Sequence, residues 1–257
     1  MTRRVVLLGQ GIGYSASPAI HNAAFAVAGI DVEYSLCDIG AEEVMRAVEE
    51  IRTADYLGAN VTAPYKRTVC SLVDRRSDDV QRLGVANTLV HIGAQLIAYN
   101  TDLAAVREEL ADLLPQTGGT AVILGAGGAS AAVQAALADL GWRDLRAIDR
   151  GHWAGIEDEL GVADLVVNAT PIGTGSDESP VPPAWLRPDL AVFDLVYRPS
   201  PSRLVRDARA TGAPARGGAG MLLRQAAASF TLWTGLPAPM GPMREAMRRE
   251  LGASADA

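Results

Sequence analysis

Cysteine is nearly absent from this sequence. Cys37 and Cys70 are the only two in 257 residues, and neither sits in a C-x-x-C spacing or beside a histidine. That excludes a disulfide scaffold and reads as two reduced, packed thiols of a cytoplasmic protein. Aromatics are scarce too, at 5% against 49% apolar residues, with Ala, Gly, Val and Leu abundant. Small apolar side chains suit helices packed closely on a parallel sheet more than a β-sandwich. There is no basic run, and the net charge is −7. A nucleic-acid partner would need a basic stripe to replace the counterions along its phosphates, so none is expected. Arg244, Arg248 and Arg249 alternate with Glu245 and Glu250 at helical spacing, which reads as a solvated helix face.

Long apolar runs are also missing, so no membrane span is expected. The opening Thr2-Arg3-Arg4 looks like a twin-arginine signal. The apolar run behind it stops at Gly9-Gln10-Gly11, too soon for a signal, and reads better as a buried first strand. Three histidines lack metal-ligand spacing. His21 falls on the first turn of a helix with no carboxylate partner in sequence and reads as structural, while His91 and His152 fall in a turn and a loop.

What is present is a rhythm. Short apolar runs alternate with longer amphipathic ones, the β-α-β pattern of an α/β fold, and the length allows one or two domains. In the first part the strands are expected at Val5–Leu8, Val32–Cys37 and Ala59–Thr62. Helices are expected at Pro18–Ala28, Ala41–Arg52 and Tyr65–Leu72, with a hairpin over Thr88–Asn100 turning at His91–Ala94. The second part opens with a helix at Leu103–Leu114 and a loop at Pro115–Gly119. Strands follow at Ala121–Leu124, Leu145–Asp149, Leu165–Asn168 and Val192–Val196, and helices at Ser130–Leu140 and Arg203–Thr211. Helices Met221–Thr234 and Pro242–Leu251 close the chain.

Gly125-Ala126-Gly127-Gly128-Ala129-Ser130 follows a strand and opens a helix. Glycines there permit a tight turn and let backbone N–H groups approach a pyrophosphate, whose charge the helix N-terminus favours. Asp149 ends the next strand, where a carboxylate accepts from a ribose 2′-hydroxyl. The pattern points to a dinucleotide site. Asp149 favours NAD because it repels a 2′-phosphate, whereas Arg150 beside it can pair with that phosphate, so NADP and NAD both stay open.

Three further segments hold polar residues at expected strand ends. They are Ser15-Ala16-Ser17-Pro18-Ala19-Ile20-His21-Asn22, Gly58-Ala59-Asn60-Val61-Thr62-Ala63-Pro64-Tyr65-Lys66, and Ala86-Asn87-Thr88 with Asn100-Thr101-Asp102. Near the end comes Gly220-Met221-Leu222-Leu223-Arg224-Gln225-Ala226. Singly, each has an ordinary reading: Ser17-Pro18 as a helix start, Asp102 as a cap, Lys66 as a solvated cation, Asn60 and Asn87 as loop ligands. Jointly and in this order they resemble the shikimate dehydrogenase family, over Gly9 to about Leu236.

That resemblance implies a two-domain α/β protein. An open α/β substrate domain, 1–102 plus 219–257, would join a Rossmann-like NAD(P)-binding domain, 103–218, through a helical return at the C-terminus. It implies reversible reduction of 3-dehydroshikimate to shikimate, a step toward aromatic amino acids, in a monomer or homodimer. By similarity Lys66 would supply the proton the new alkoxide needs, and Asp102 would hold it. Ser15 and Ser17 would bind the substrate carboxylate, with Thr62 and Tyr197 nearby, while Asn60, Asn87, Asp102 and Gln225 would read the ring hydroxyls. Gly125, Ala126, Gly127, Gly128, Ala129, Asp149, Arg150, Asn168, Thr170 and Gly220 would flank the cofactor.

Tyr14 and Gln10-Gly11 depart from the family pattern, as do Asp149-Arg150-Gly151 and Gly217. The crossover 151–162 is minimal for a parallel connection, as if a helix and an edge strand were lost. Weak cofactor binding, or an unusual cofactor preference, would follow. Quinate or an amino-substituted shikimate is an alternative substrate, and a non-catalytic acid-binding protein is the reading from another class.

Overall fold

The computed structural model describes residues 2–114, 118–153 and 155–252, so Pro115–Thr117 of the expected loop lie outside the described residues, as does the side chain of Arg150. The chain divides into two compact units. One runs to Asp102 and takes up Leu223–Glu250; the other spans Leu103–Leu222.

The first unit holds β1 (Arg3–Gly9), α1 (Ser17–Ala28), β2 (Val32–Asp38), α2 (Val44–Ile51) and β3 (Tyr56–Val61). It continues with β4 (Arg75–Arg76), α3 (Asp78–Leu83), β5 (Thr88–Ile92) and β6 (Gln95–Tyr99). Its sheet runs β2-β1-β3-β5-β6-β4. β1 pairs in parallel with β2 and β3, whereas β5 is antiparallel to both β3 and β6. The run Val5–Leu8 is buried, as a central strand covered on both faces requires. One core gathers Leu8, Val48, Ile51, Val61, Leu89 and Leu96.

Ser17-Pro18 does start α1, with Ser17 the first helical residue, and the Ser15 hydroxyl accepts its N–H at 3.2 Å. One local expectation is corrected here. Tyr65–Leu72 is not an α-helix but a turn leading into one 3-10 turn at Thr68–Ser71. The Lys66 carbonyl accepts from Ala86 N–H at 2.8 Å, which takes it out of a regular helical ladder. The short helix α3 was not anticipated, although Ser77 caps it and Gly84, at φ 65°, ends it.

The second unit holds α4 (Asp102–Leu113, its first residue in the other unit), β7 (Thr120–Leu124), α5 (Gly128–Asp139) and β8 (Asp144–Ile148). Then come α6 (Ile156–Val162), β9 (Leu165–Asn168), β10 (Ala191–Asp194), α7 (Arg203–Ala210) and β11 (Ala215–Arg216). All pairings are parallel, in the order β11-β10-β9-β7-β8. The direction of winding reverses between β7 and β9, and such open sheets bind ligands at the carboxyl ends of the strands at that point. Leu124 of β7 lies opposite Asn168 of β9 there. The crossover 151–162, read as having lost a helix, does carry one, α6. Helix α8 (Ala219–Thr234) runs through the second boundary, so Gly220 belongs to the second unit and Gln225 to the first; α9 (Met240–Leu251) follows.

Candidate active site

In the first unit, the carboxyl end of β3 and the turn after it place Lys66, while the loop after β6 places Asp102. Thirty-six residues apart in the chain, they meet: Lys66 Nζ donates to Asp102 Oδ2 at 2.5 Å. Their side chains are 16% and 6% exposed, so this ion pair is shielded from bulk water yet still reachable. The other carboxylate oxygen, Oδ1, accepts from Asn87 Nδ2 at 2.9 Å. Asn87 cannot flip, because its Oδ1 accepts the Thr101 N–H at 2.7 Å.

Behind this pair lies a fully buried cluster of hydroxyls. Thr88 and Ser229 stand 2.9 Å apart, Thr101 and Ser229 3.2 Å, and Thr88 and Thr101 3.3 Å. Asn60 closes it. Its Nδ2 lies 3.1 Å from the Asn87 carbonyl, Thr88 Oγ1 and Ser229 Oγ, and its Oδ1 accepts from the Tyr34 hydroxyl at 2.9 Å. Sequence reasoning picked out Asn60 and Asn87 but missed Tyr34 and Ser229. A hydroxyl between Ala228 and Phe230, four residues after Gln225 and so on the same helix face, was the available signal. Ser15, Thr62 and Gln225 are half-buried and Ser17 is buried, all in this same unit. His21 is fully buried and stacks on Tyr34 with ring centroids 4.5 Å apart, neither ring nitrogen meeting a partner. Burial pushes its imidazole down to about 3, which keeps it neutral and out of acid–base work.

In the second unit, Gly125 adopts φ 114°, and a Cβ there would sit 2.9 Å from the Ala169 carbonyl, so the tight turn against the β9 loop requires glycine. Gly127 is the N-cap of α5 without a side-chain cap, and a Cβ added there would meet nothing within 4 Å. Open space in front of the first N–H groups of a 12-residue helix fits a pyrophosphate. Ala126 completes the turn, and Gly128 and Ala129 are the first two residues of α5. Asn168 is wholly internal: its Oδ1 accepts from Thr170 Oγ1 at 2.6 Å, and its Nδ2 donates to Asp194 Oδ1 at 2.8 Å. Asp194 also accepts from Ser202 Oγ at 2.6 Å and the Val196 N–H at 3.0 Å. Its described donors are neutral, and burial raises its carboxyl to about 6. Tyr197, half-buried, stands past the end of β10. Gly220 lies against the buried Glu109, whose carboxylate leaves no room for a Cβ and pairs with Arg216 at 3.1 Å. Asp149 is engaged locally, accepting from the Gly151 N–H and from His152 Nδ1, each at 2.8 Å, and the His152 contact holds its carboxyl below the usual range.

Residues 7–89 match the family model described as the shikimate dehydrogenase substrate binding domain, and residues 218–248 the shikimate 5'-dehydrogenase C-terminal domain. The shikimate dehydrogenase (NADP(+)) of Moorella thermoacetica is 36% identical, across 98% of this chain and 95% of its own. The chain belongs to the shikimate dehydrogenase family.

Other members of the family refine the picture. Shikimate 5-dehydrogenase from Thermus thermophilus, solved with NADP(H) and shikimate, superimposes with a TM-score of 0.85 at 34% identity, covering 97% of this chain and 100% of that one. Quinate dehydrogenase from Corynebacterium glutamicum, solved with NAD, gives 0.82 at 28% identity, over 96% and 99%. The Moorella alignment runs over 280 positions, more than the 257 residues here, so that relative carries residues this chain lacks. One more signal for the site lies in composition: Lys66 is the single lysine of the chain, every other cationic side chain being arginine or histidine.

Proposed function

We propose that the chain catalyses the NADP-dependent, reversible reduction of 3-dehydroshikimate to shikimate. The observation that carries this reading is the 2.5 Å contact between the single lysine and a buried, asparagine-braced carboxylate. Arginine cannot give up a proton near neutral pH, whereas an amine can, and the one amine side chain stands here.

The nicotinamide, when bound, supplies the hydride. As the carbonyl carbon is reduced, its π electrons move to oxygen, and Lys66 gives a proton to that oxygen. In the reverse direction Lys66 takes the proton back. Asp102 keeps the amine aimed through Oδ2, and its Oδ1, already anchored by Asn87, still has a lone pair for a ring hydroxyl. Ser15 and Ser17 take the substrate carboxylate, with Thr62. Asn87 and Gln225 read the ring hydroxyls, and Asn60, its amide committed at both ends, braces Asn87 from behind. Gly125 to Ala129 cradle the pyrophosphate, with Asn168 and Thr170 shaping the facing loop and Gly220 setting how closely α8 approaches α4.

The cofactor assignment follows the NADP(+) in the names of the curated relatives. Asp149, still a charged group at the adenosine end, is the residue expected to blunt NADP preference. The test is an absorbance assay at the nicotinamide band with shikimate and quinate, each with NADP and NAD, alongside a Lys66→Ala control. Turnover with shikimate and NADP that vanishes in the control is the expected result. Inertness with every pairing sinks the proposal and leaves a small-acid-binding protein.

A further inference from the structure

Helix α8 offers Gln225, Ser229 and Trp233 at positions i, i+4 and i+8, one stripe along one face. Two of the three are hydrogen-bonded to the sheet of the first unit. Trp233 Nε1 donates to the Leu89 carbonyl at 2.9 Å, over Gly58, where a Cβ would strike both groups. Ser229, with no exposure at all, places its hydroxyl within 3.2 Å of Asn60, Thr88 and Thr101. Around it α8 buries Ala226, Phe230 and Trp233. An apolar face slides along a sheet at little cost, but a hydroxyl buried in it must find its partners, so one polar anchor selects one register.

We propose that Ser229 is a positioning residue for the reaction, resting on the function proposed above. Its hydroxyl locks α8 against the strand ends. The lock sets where Gln225 stands one turn earlier and, through Thr101 and Asn87, how Asp102 is presented to Lys66. The path is short: Thr101 Oγ1 accepts from Asn87 Nδ2 at 2.8 Å, and the same nitrogen reaches Asp102. Ser229 touches neither substrate nor cofactor; it acts through these neighbours.

The single lysine supplies a readout independent of turnover, because ε-13C-lysine labelling yields one side-chain resonance, that of Lys66. Ser229→Ala is expected to keep a melting temperature within a few degrees of the parent. It should lose about tenfold in kcat/KM for shikimate, alter the pH profile and displace the lysine resonance, with Ser229→Thr restoring all three. Thr88→Val should reproduce the loss, and the double variant should be no slower than the slower single, since both remove one network. Parental kinetics with an unmoved resonance in Ser229→Ala overturn the proposal. So does a loss of activity that only follows a loss of melting temperature. Should Ser229→Ala not fold, Thr88→Val carries the same readouts. If the parent shows no turnover the activity reading fails by itself, and the resonance alone decides the role of Ser229: displaced supports it, unmoved overturns it.

Discussion

Each unit buries one aspartate under an asparagine and a hydroxyl, yet the two sites differ in one component. Asp102, with Asn87 and Thr101, keeps an ammonium at 2.5 Å; Asp194, with Asn168 and Ser202, has neutral donors for all its described partners. A carboxylate beside an amine can hold and redirect a proton donor, which is chemistry. A carboxylate beside neutral donors ties strand β10 to the end of β9 and the start of α7, and burial raises its carboxyl to about 6. The same side chains serve opposite purposes according to a single cationic neighbour.

The largest effect is expected where the difference lies. Lys66→Ala should lower kcat by roughly a thousandfold, within the range of general acid–base catalysis, while shikimate affinity changes far less. Lys66→Arg sharpens this: it keeps the charge beside Asp102 but cannot release a proton, so steady-state kinetics should find it nearly as inactive. An arginine variant with parental kcat would reduce the pair to electrostatics alone.

Next comes the glycine turn. Gly127→Ala meets no atom of the protein, so the fold should stand while the nucleotide dissociation constant rises about tenfold or more. Calorimetric titration with NADP checks it, and unchanged affinity would make the turn purely structural.

The buried groups make opposite pH predictions. Below its ordinary value of 6.5, His21 stays neutral in the folded chain while the unfolded chain takes up a proton. Stability therefore falls as pH drops from 6.5 toward 3, at up to about 1.4 kcal/mol per pH unit. Asp194 acts in reverse. Between 3.8 and about 6 the folded chain holds the extra proton, so this contribution is present at low pH and lost as pH rises through 6. Urea midpoints from pH 4 to 6 should thus steepen their fall on acidification in Asp194→Asn, and lessen it in His21→Phe. Parallel curves for both variants would break the contrast.

The smallest effect is at the adenosine end. Asp149→Asn removes a charge already held by His152 and Gly151, so the NADP to NAD preference should rise only a fewfold in kcat/KM. A hundredfold change would mean that Asp149 faces the cofactor directly.

Much of the fold was legible because local chemistry and tertiary demand agree. Val5–Leu8 is apolar, and a central strand needs it so; the turn at Gly125 needs positive φ, and glycine stands there. Legibility failed where a distant partner took over, as at Tyr65–Leu72, where Ala86 claims the Lys66 carbonyl. Asn60, the residue expected to read a ring hydroxyl, also bonds within the protein to Tyr34, Thr88 and Ser229, the last 169 residues away, and no local pattern shows those partners.

The sequence by itself determined the α/β alternation, the glycine turn ahead of α5 and the chain's single lysine, because each depends on residue type and near-neighbour spacing. Only the tertiary structure decided which aspartate is paired, which asparagine is committed and which serine anchors α8. Charge and hydrogen-bond capacity are properties of a residue, but their use depends on what the folded chain brings within about 3 Å of them.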